Sequence, residues 1–149
     1  MKGWFGVVEI VLIVLVLLIL PLIILALRRR WLSRSGGTFE CSLRLRTTTP
    51  GTGWVLGVAR YSGEQLEWFR VFSFSFRPRK TFRRGDVVVL ENRAPDAIEA
   101  VSLYAGQRVV RMEEGTDADG QLWDAAMSSD SLTGLLSWLE AAPPGVAGY

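Results

Sequence analysis

Histidine is absent from the 149 residues, and cysteine occurs once, at Cys41. Without histidine the chain lacks the usual general base near neutral pH and the commonest transition-metal ligand. A single cysteine permits no intrachain disulfide, which suits a reducing compartment. Charge is scarce at the start of the chain: between Lys2 and Arg28 the only ionisable side chain is Glu9.

That scarcity leaves a long apolar run, Phe5 to Leu27. A hydrocarbon core of ~30 Å needs roughly 20 helical residues to cross it, so the run is long enough to span. It is too long for a cleavable leader, and its Leu25-Ala26-Leu27 end followed by arginines offers no small-residue cleavage site. A helix apolar on all sides also has nothing in so small a chain to cover it as a core helix. The expectation is a retained transmembrane helix with its flanks over residues 1–34, in which Pro21 removes one donor and favours a kink. Glu9 is expected at the outer interface, within reach of water.

The flanks set an orientation. Lys2 precedes the run, whereas Arg28, Arg29, Arg30 and Arg34 follow it, and basic residues are retained on the cytoplasmic side. The N-terminus is therefore expected outside and the C-terminal domain in the cytoplasm of a single-pass plasma-membrane protein. Trp4 and Trp31 fall near opposite ends, where indole rings favour the headgroup layer. Five of the 17 Lys and Arg, but only one of the 15 Asp and Glu, lie in or beside the anchor, so residues 35–149 carry a formal −2. A general nucleic-acid binder would be basic. The charge is uneven, however: Arg77, Arg79, Lys80, Arg83 and Arg84 form an acid-free run, and every charge from Glu113 to Glu140 is negative.

Residues 35–149 suffice for one domain. Thr38 to Arg46 alternates, with Phe39, Cys41, Leu43 and Leu45 on one face, the mark of a half-buried strand, and Cys41 is a small core residue in that pattern. Further strands are expected over Trp54–Tyr61, Leu66–Phe76, Val87–Glu91, Ala97–Leu103, Gln107–Met112 and Gln121–Met127. In the third, Leu66, Trp68, Phe72, Phe74 and Phe76 alternate on one side. Such aromatic density also suits base stacking, but in an anionic domain it is read as core. The period changes only at the end. Leu132, Leu135, Leu136 and Leu139 share one stripe of a helix over Ser131–Ala142, with Asp130 or a neighbouring serine as cap and Pro143-Pro144-Gly145 as stop.

Two loops resemble ligand sites and fail on spacing. Thr47–Gly53 lacks the Lys-Ser/Thr pair of a phosphate loop. Asp117 and Asp119 before Gly120 suggest a calcium loop, but that register puts Gly115 and Ala126 where the first and last carboxylates belong. A hairpin turn at Asp119-Gly120 is expected instead.

Short strands followed by one amphipathic helix predict a mainly-β domain: a small antiparallel barrel, similar to pleckstrin-homology domains, capped by the C-terminal helix. Lipid-binding domains of that kind commonly carry cations in the first inter-strand loop, and Thr47–Gly53 contains none. At the level of the whole chain, RRR after the span, WxxGxxRY (Trp54–Tyr61), LEWFRVFS (Leu66–Ser73), RPRxTFxR (Arg77–Arg84) and LSWLEAAPPG (Leu136–Gly145) resemble the DUF2550-type family. This is a family of small actinobacterial single-pass membrane proteins of unknown function, and the resemblance implies no catalytic residue.

No recognisable nucleophile motif occurs, and the acids of Glu113/Glu114 and Asp117/Asp119 sit in one turn rather than converging from separate elements. The expectation is a non-enzymatic adaptor without cofactor or metal. It works at the cytoplasmic membrane surface, and Arg77, Arg79, Lys80, Arg83 and Arg84 read anionic lipid head groups or an acidic protein partner. The alternative is an accessory structural subunit of a larger membrane complex.

Overall fold

A computed structural model describes residues 2–34, 36–45, 48–49, 51–115 and 120–141. They fall into two compact units, one from residues 1–35 with Phe72–Phe76, the other from Gly36–Val71 with residues 77–149.

The first unit is built on helix α1, Lys2–Arg34. It is long and apolar enough to cross a membrane, and none of its most apolar stretch is buried within the protein. Pro21 does not end it. In lipid an unclosed backbone has no water to turn to, so a span favours continuous helix. Phe72–Phe76 packs with this helix, against the expectation that Leu66–Phe76 is one strand. The strand stops at Arg70, and Phe72, Phe74 and Phe76 are exposed.

The second unit is antiparallel β with one helix. Its elements are β1 Thr38–Arg44, β2 Trp54–Val55, β3 Gly57–Ser62, β4 Gln65–Arg70, β5 Lys80–Arg83, β6 Val87–Arg93, β7 Gln107–Glu114, β8 Gln121–Ser128 and α2 Ser129–Glu140. The strands run β5-β4-β3-β1-β8-β7-β6, with β2 added against β1. Strand β1 serves two sheets: Thr38–Glu40 pair with β3, and Cys41–Leu43 pair with β8. Among the described residues the end strands β5 and β6 do not pair, so the sheet is open.

The core lies between the two halves. Cys41, Leu43, Leu66, Trp68, Phe82, Val110, Met112, Ala125 and Met127 meet there, and α2 adds Leu132 and Leu135. Trp68 is 1% exposed, and its indole N–H donates to the Cys41 carbonyl at 2.8 Å. Gly57 on the neighbouring strand leaves room for that ring, since a Cβ there would collide with it. Helix α2 starts where the Ser128 hydroxyl accepts from the Ser131 amide at 3.2 Å, a side-chain N-cap.

A second cluster, Leu103, Val109 and Ala126 with Trp54 against it, lies on the other face of the β1-β8-β7 sheet. The segment that supplies Leu103 was expected as a strand over Ala97–Leu103; it is instead a turn and a 3-10 turn at Glu99–Val101. Ser42 is 5% exposed for the same reason, since it pairs in register with Ala126 on the covered face. Asp117, Asp119 and the Pro143-Pro144-Gly145 stop lie outside the described residues.

Candidate functional site

The basic run is not one surface. Pro78 breaks the chain, and residues 80–83 re-enter the sheet as β5, where Leu66 faces Phe82 and Trp68 faces Lys80. The Lys80 ammonium is held at 2.6 Å by a Glu114 carboxylate oxygen, and it lies 5.2 Å from the Phe82 ring and 4.8 Å from the Trp123 ring. Arg84 is similarly engaged. It is 3.4 Å from Glu64, donates to the Ala141 carbonyl at 3.2 Å and stacks 4.8 Å from Trp138, which ties α2 to the sheet. Arg77, Arg79 and Arg83 are exposed, and among the described residues Arg79 and Arg83 have no side-chain partner. The run thus holds two cations spent on packing, Lys80 and Arg84, and two, Arg79 and Arg83, turned to solvent without a side-chain partner among the described residues.

The acidic stretch is divided too. Glu114 pairs with Lys80 and accepts from the Trp123 indole at 3.1 Å. Asp124, 7% exposed, accepts from the Arg111 guanidinium at 2.9 and 3.2 Å, with Arg44 at 3.8 Å on its other side. Strand order makes this a row of alternating charge, because Arg111 faces Asp124 on one side and Glu91 on the other. Hydrogen bonding to Asp124 raises the Arg111 pKa further.

Glu99 is the most enclosed acid. It is 2% exposed, accepts from Arg93 at 2.6 and 2.8 Å and accepts from the Asp96 amide at 3.1 Å. The Arg93 hydrogen bond outweighs burial and lowers the Glu99 pKa below the usual glutamate range. A carboxylate so held stays ionised and is a poor proton donor. Burial pushes the Cys41 thiol up to about 12, so little thiolate forms near neutral pH. No cluster of three or more His, Cys, Asp or Glu suited to a metal occurs among the described residues.

The foot of α1 is the other place where charge and aromatics meet. Trp4 at the far end is 75% exposed and Trp31 44%. Arg29, Arg30 and Arg34 are exposed, whereas Arg28 is 4% exposed and its Nε donates to the Ser75 carbonyl at 2.7 Å. The Trp31 and Phe76 rings meet edge to face at 5.6 Å. Leu27, Arg30, Trp31, Arg34 and Phe76 line a shallow cleft of about 500 Å³. The alternation of Phe72, Phe74 and Phe76 hid this arrangement, because period two reads as strand. The signal against a strand was Pro78 among arginines, which a central strand does not tolerate.

One membrane-length helix, an antiparallel sheet domain and a closing helix define the class. Residues 14–145 match the model of a protein family of unknown function, DUF2550, and the chain belongs to that family. It is 32% identical over 123 residues to the uncharacterized protein Rv1312 of Mycobacterium tuberculosis (strain H37Rv), covering 82% of this chain and 83% of the relative. It is 31% identical over 121 residues to the uncharacterized protein ML1147 of Mycobacterium leprae, covering 80% and 82%.

Proposed function

We propose that this protein is a membrane-tethered, non-enzymatic binding module whose second unit reads anionic lipid through exposed arginines of the Arg77–Arg84 run. Helix α1 crosses the plasma membrane once with its N-terminus outside, and the sheet domain works at the cytoplasmic face. The domain is pleckstrin-homology-like, two sheets sharing β1 with α2 closing one end of an incomplete barrel. The observation that carries this reading is the unpartnered exposure of Arg79 and Arg83 beside Lys80 and Arg84, which are already committed to packing. Each basic residue near an anionic surface contributes ~1 kcal/mol, so two such residues favour the anionic surface by ~2 kcal/mol. The non-enzymatic part rests on the buried acids: Glu99 and Asp124 are each clasped by arginine and serve the fold.

The test uses the full chain in nanodiscs of neutral or anionic phospholipid. Hydrogen exchange over residues 77–86 is expected to slow in the anionic discs, and R79Q/R83Q is expected to abolish the difference while Lys80 and Arg84 keep the fold intact. Equal exchange in the two lipids for the unaltered protein would remove lipid reading by this run. Protection that appears only with a co-purified acidic protein would transfer the role to that partner.

A further inference from the structure

Three large apolar side chains within five residues remain exposed at Phe72, Phe74 and Phe76, at 81, 56 and 47%. Soluble surfaces scatter such residues singly, and a contiguous apolar patch marks a contact surface. Two features say what covers this one. The segment packs with α1 rather than with the sheet from which it departs. It is also fixed at one level of that helix, through the Arg28–Ser75 hydrogen bond and the Trp31–Phe76 ring contact. That level is where the apolar run Phe5–Leu27 gives way to three arginines. At 1.5 Å per residue the run is roughly 34 Å long, close to a hydrocarbon core, so its end falls at the headgroup boundary.

We infer that Phe72–Phe76 is a second membrane contact, an aromatic foot whose Phe72 and Phe74 rings sit in the interfacial layer of the phospholipid bilayer beside the end of α1. Arg30 and Arg34, one turn apart on the cleft that Phe76 and Trp31 also line, lie at phosphate level. Guanidinium groups there reach the headgroup oxygens while Leu27 and the rings stay on the apolar side. The serines between the rings are taken up locally, the Ser73 hydroxyl accepting from the Ser75 amide at 3.2 Å and the Ser75 carbonyl accepting from Arg28. The foot would fix how deep and at what rotation the helix stands. A single smooth helix cannot do that, because its apolar surface is alike on all sides. This inference rests on reading α1 as a membrane span, but not on the role of Arg79 and Arg83.

The experiment is spin-label accessibility on the full chain in phospholipid liposomes. Labels are placed one at a time at F72C, F74C and, as a depth reference, L17C; buried Cys41 is unlabelled in the native protein. Collision with oxygen reports lipid, and collision with a water-soluble nickel complex reports water. The expected result is that label 17 is open to oxygen and closed to nickel. Labels 72 and 74 should favour oxygen over nickel at a shallower depth. If labels 72 and 74 collide freely with nickel while label 17 does not, the foot is overturned and the span stands. If they are closed to both reagents and show dipolar broadening between copies, a second copy covers the patch and the inference is likewise overturned. If label 17 itself meets nickel, the span fails and the foot fails with it.

Discussion

Glu99 offers the sharpest quantitative test of how the sheet domain holds its outer cover. Its carboxylate is 2% exposed and accepts two hydrogen bonds from Arg93 and one from the Asp96 amide. E99Q keeps the shape and removes the charge. Breaking a buried ion pair costs ~3–5 kcal/mol when the surviving partner stays dry. Arg93 is 29% exposed and can regain water, so about 2 kcal/mol is expected, which is roughly a thirtyfold rise in local opening. The affected amides are identifiable: Ala100 donates to Asp96 at 2.9 Å, and Ser102 and Leu103 donate to Glu99 at 2.9 and 3.1 Å. Hydrogen exchange on the full chain in micelles would read them directly. The pH dependence has a definite sign. The folded pKa of Glu99 is lowered, so its contribution is complete above the unfolded value and fades as pH falls through the folded one. After correction for intrinsic rates, protection of these amides should drop with acid in the natural protein and stay flatter in E99Q. Equal exchange in the two proteins at pH 7 would show that the Glu99 charge does not hold this segment and assign the hold to the apolar contacts of Leu103.

G57A drives a Cβ into the Trp68 ring and should lower the stability of the domain by ~1–3 kcal/mol, seen as an earlier urea midpoint by tryptophan fluorescence. Native Cys41, with its thiol pushed up to about 12 by burial, should resist iodoacetamide at pH 8 and react only once denaturant is added; fast native alkylation would contradict the packing. K80M removes a part-exposed pair with Glu114 at 2.6 Å and should cost only about 1 kcal/mol, while shifting the emission of Trp123. S128A removes the side-chain cap of α2 and should cost ~1 kcal/mol in the same urea assay.

The elements legible in the sequence were those whose pattern has one physical cause. An apolar run interrupted by one acid, Glu9, became α1, and leucines at three- and four-residue spacing became α2. The alternation of Phe39, Cys41 and Leu43 became β1. The misreadings arose where one pattern serves two purposes. Phe72, Phe74 and Phe76 alternate as strand residues do, yet β4 ends at Arg70. Ala97–Leu103 is apolar enough for a strand, but only its Leu103 packs on Val109 and Ala126 from outside, while Ile98 and Val101 stay exposed and Glu99 pins the turn. The strand β5 was hidden by its charge, because Thr81 and Phe82 stand among arginines and a lysine. Its Lys80 became legible only with Glu114 beside it, a partner 34 residues away. The two residues lie on strands that do not pair, so the contact comes from tertiary packing, which composition does not carry.

Whether α1 holds the sheet domain inside the cell is read by protease protection of a tag at the C-terminus, in spheroplasts of an actinobacterial host expressing the full chain. The tag should survive protease outside intact spheroplasts, be lost on permeabilisation and travel with the membrane fraction. A tag cut in intact spheroplasts, or recovered in the soluble fraction, would contradict a helix that spans the bilayer and holds the sheet domain on its inner face.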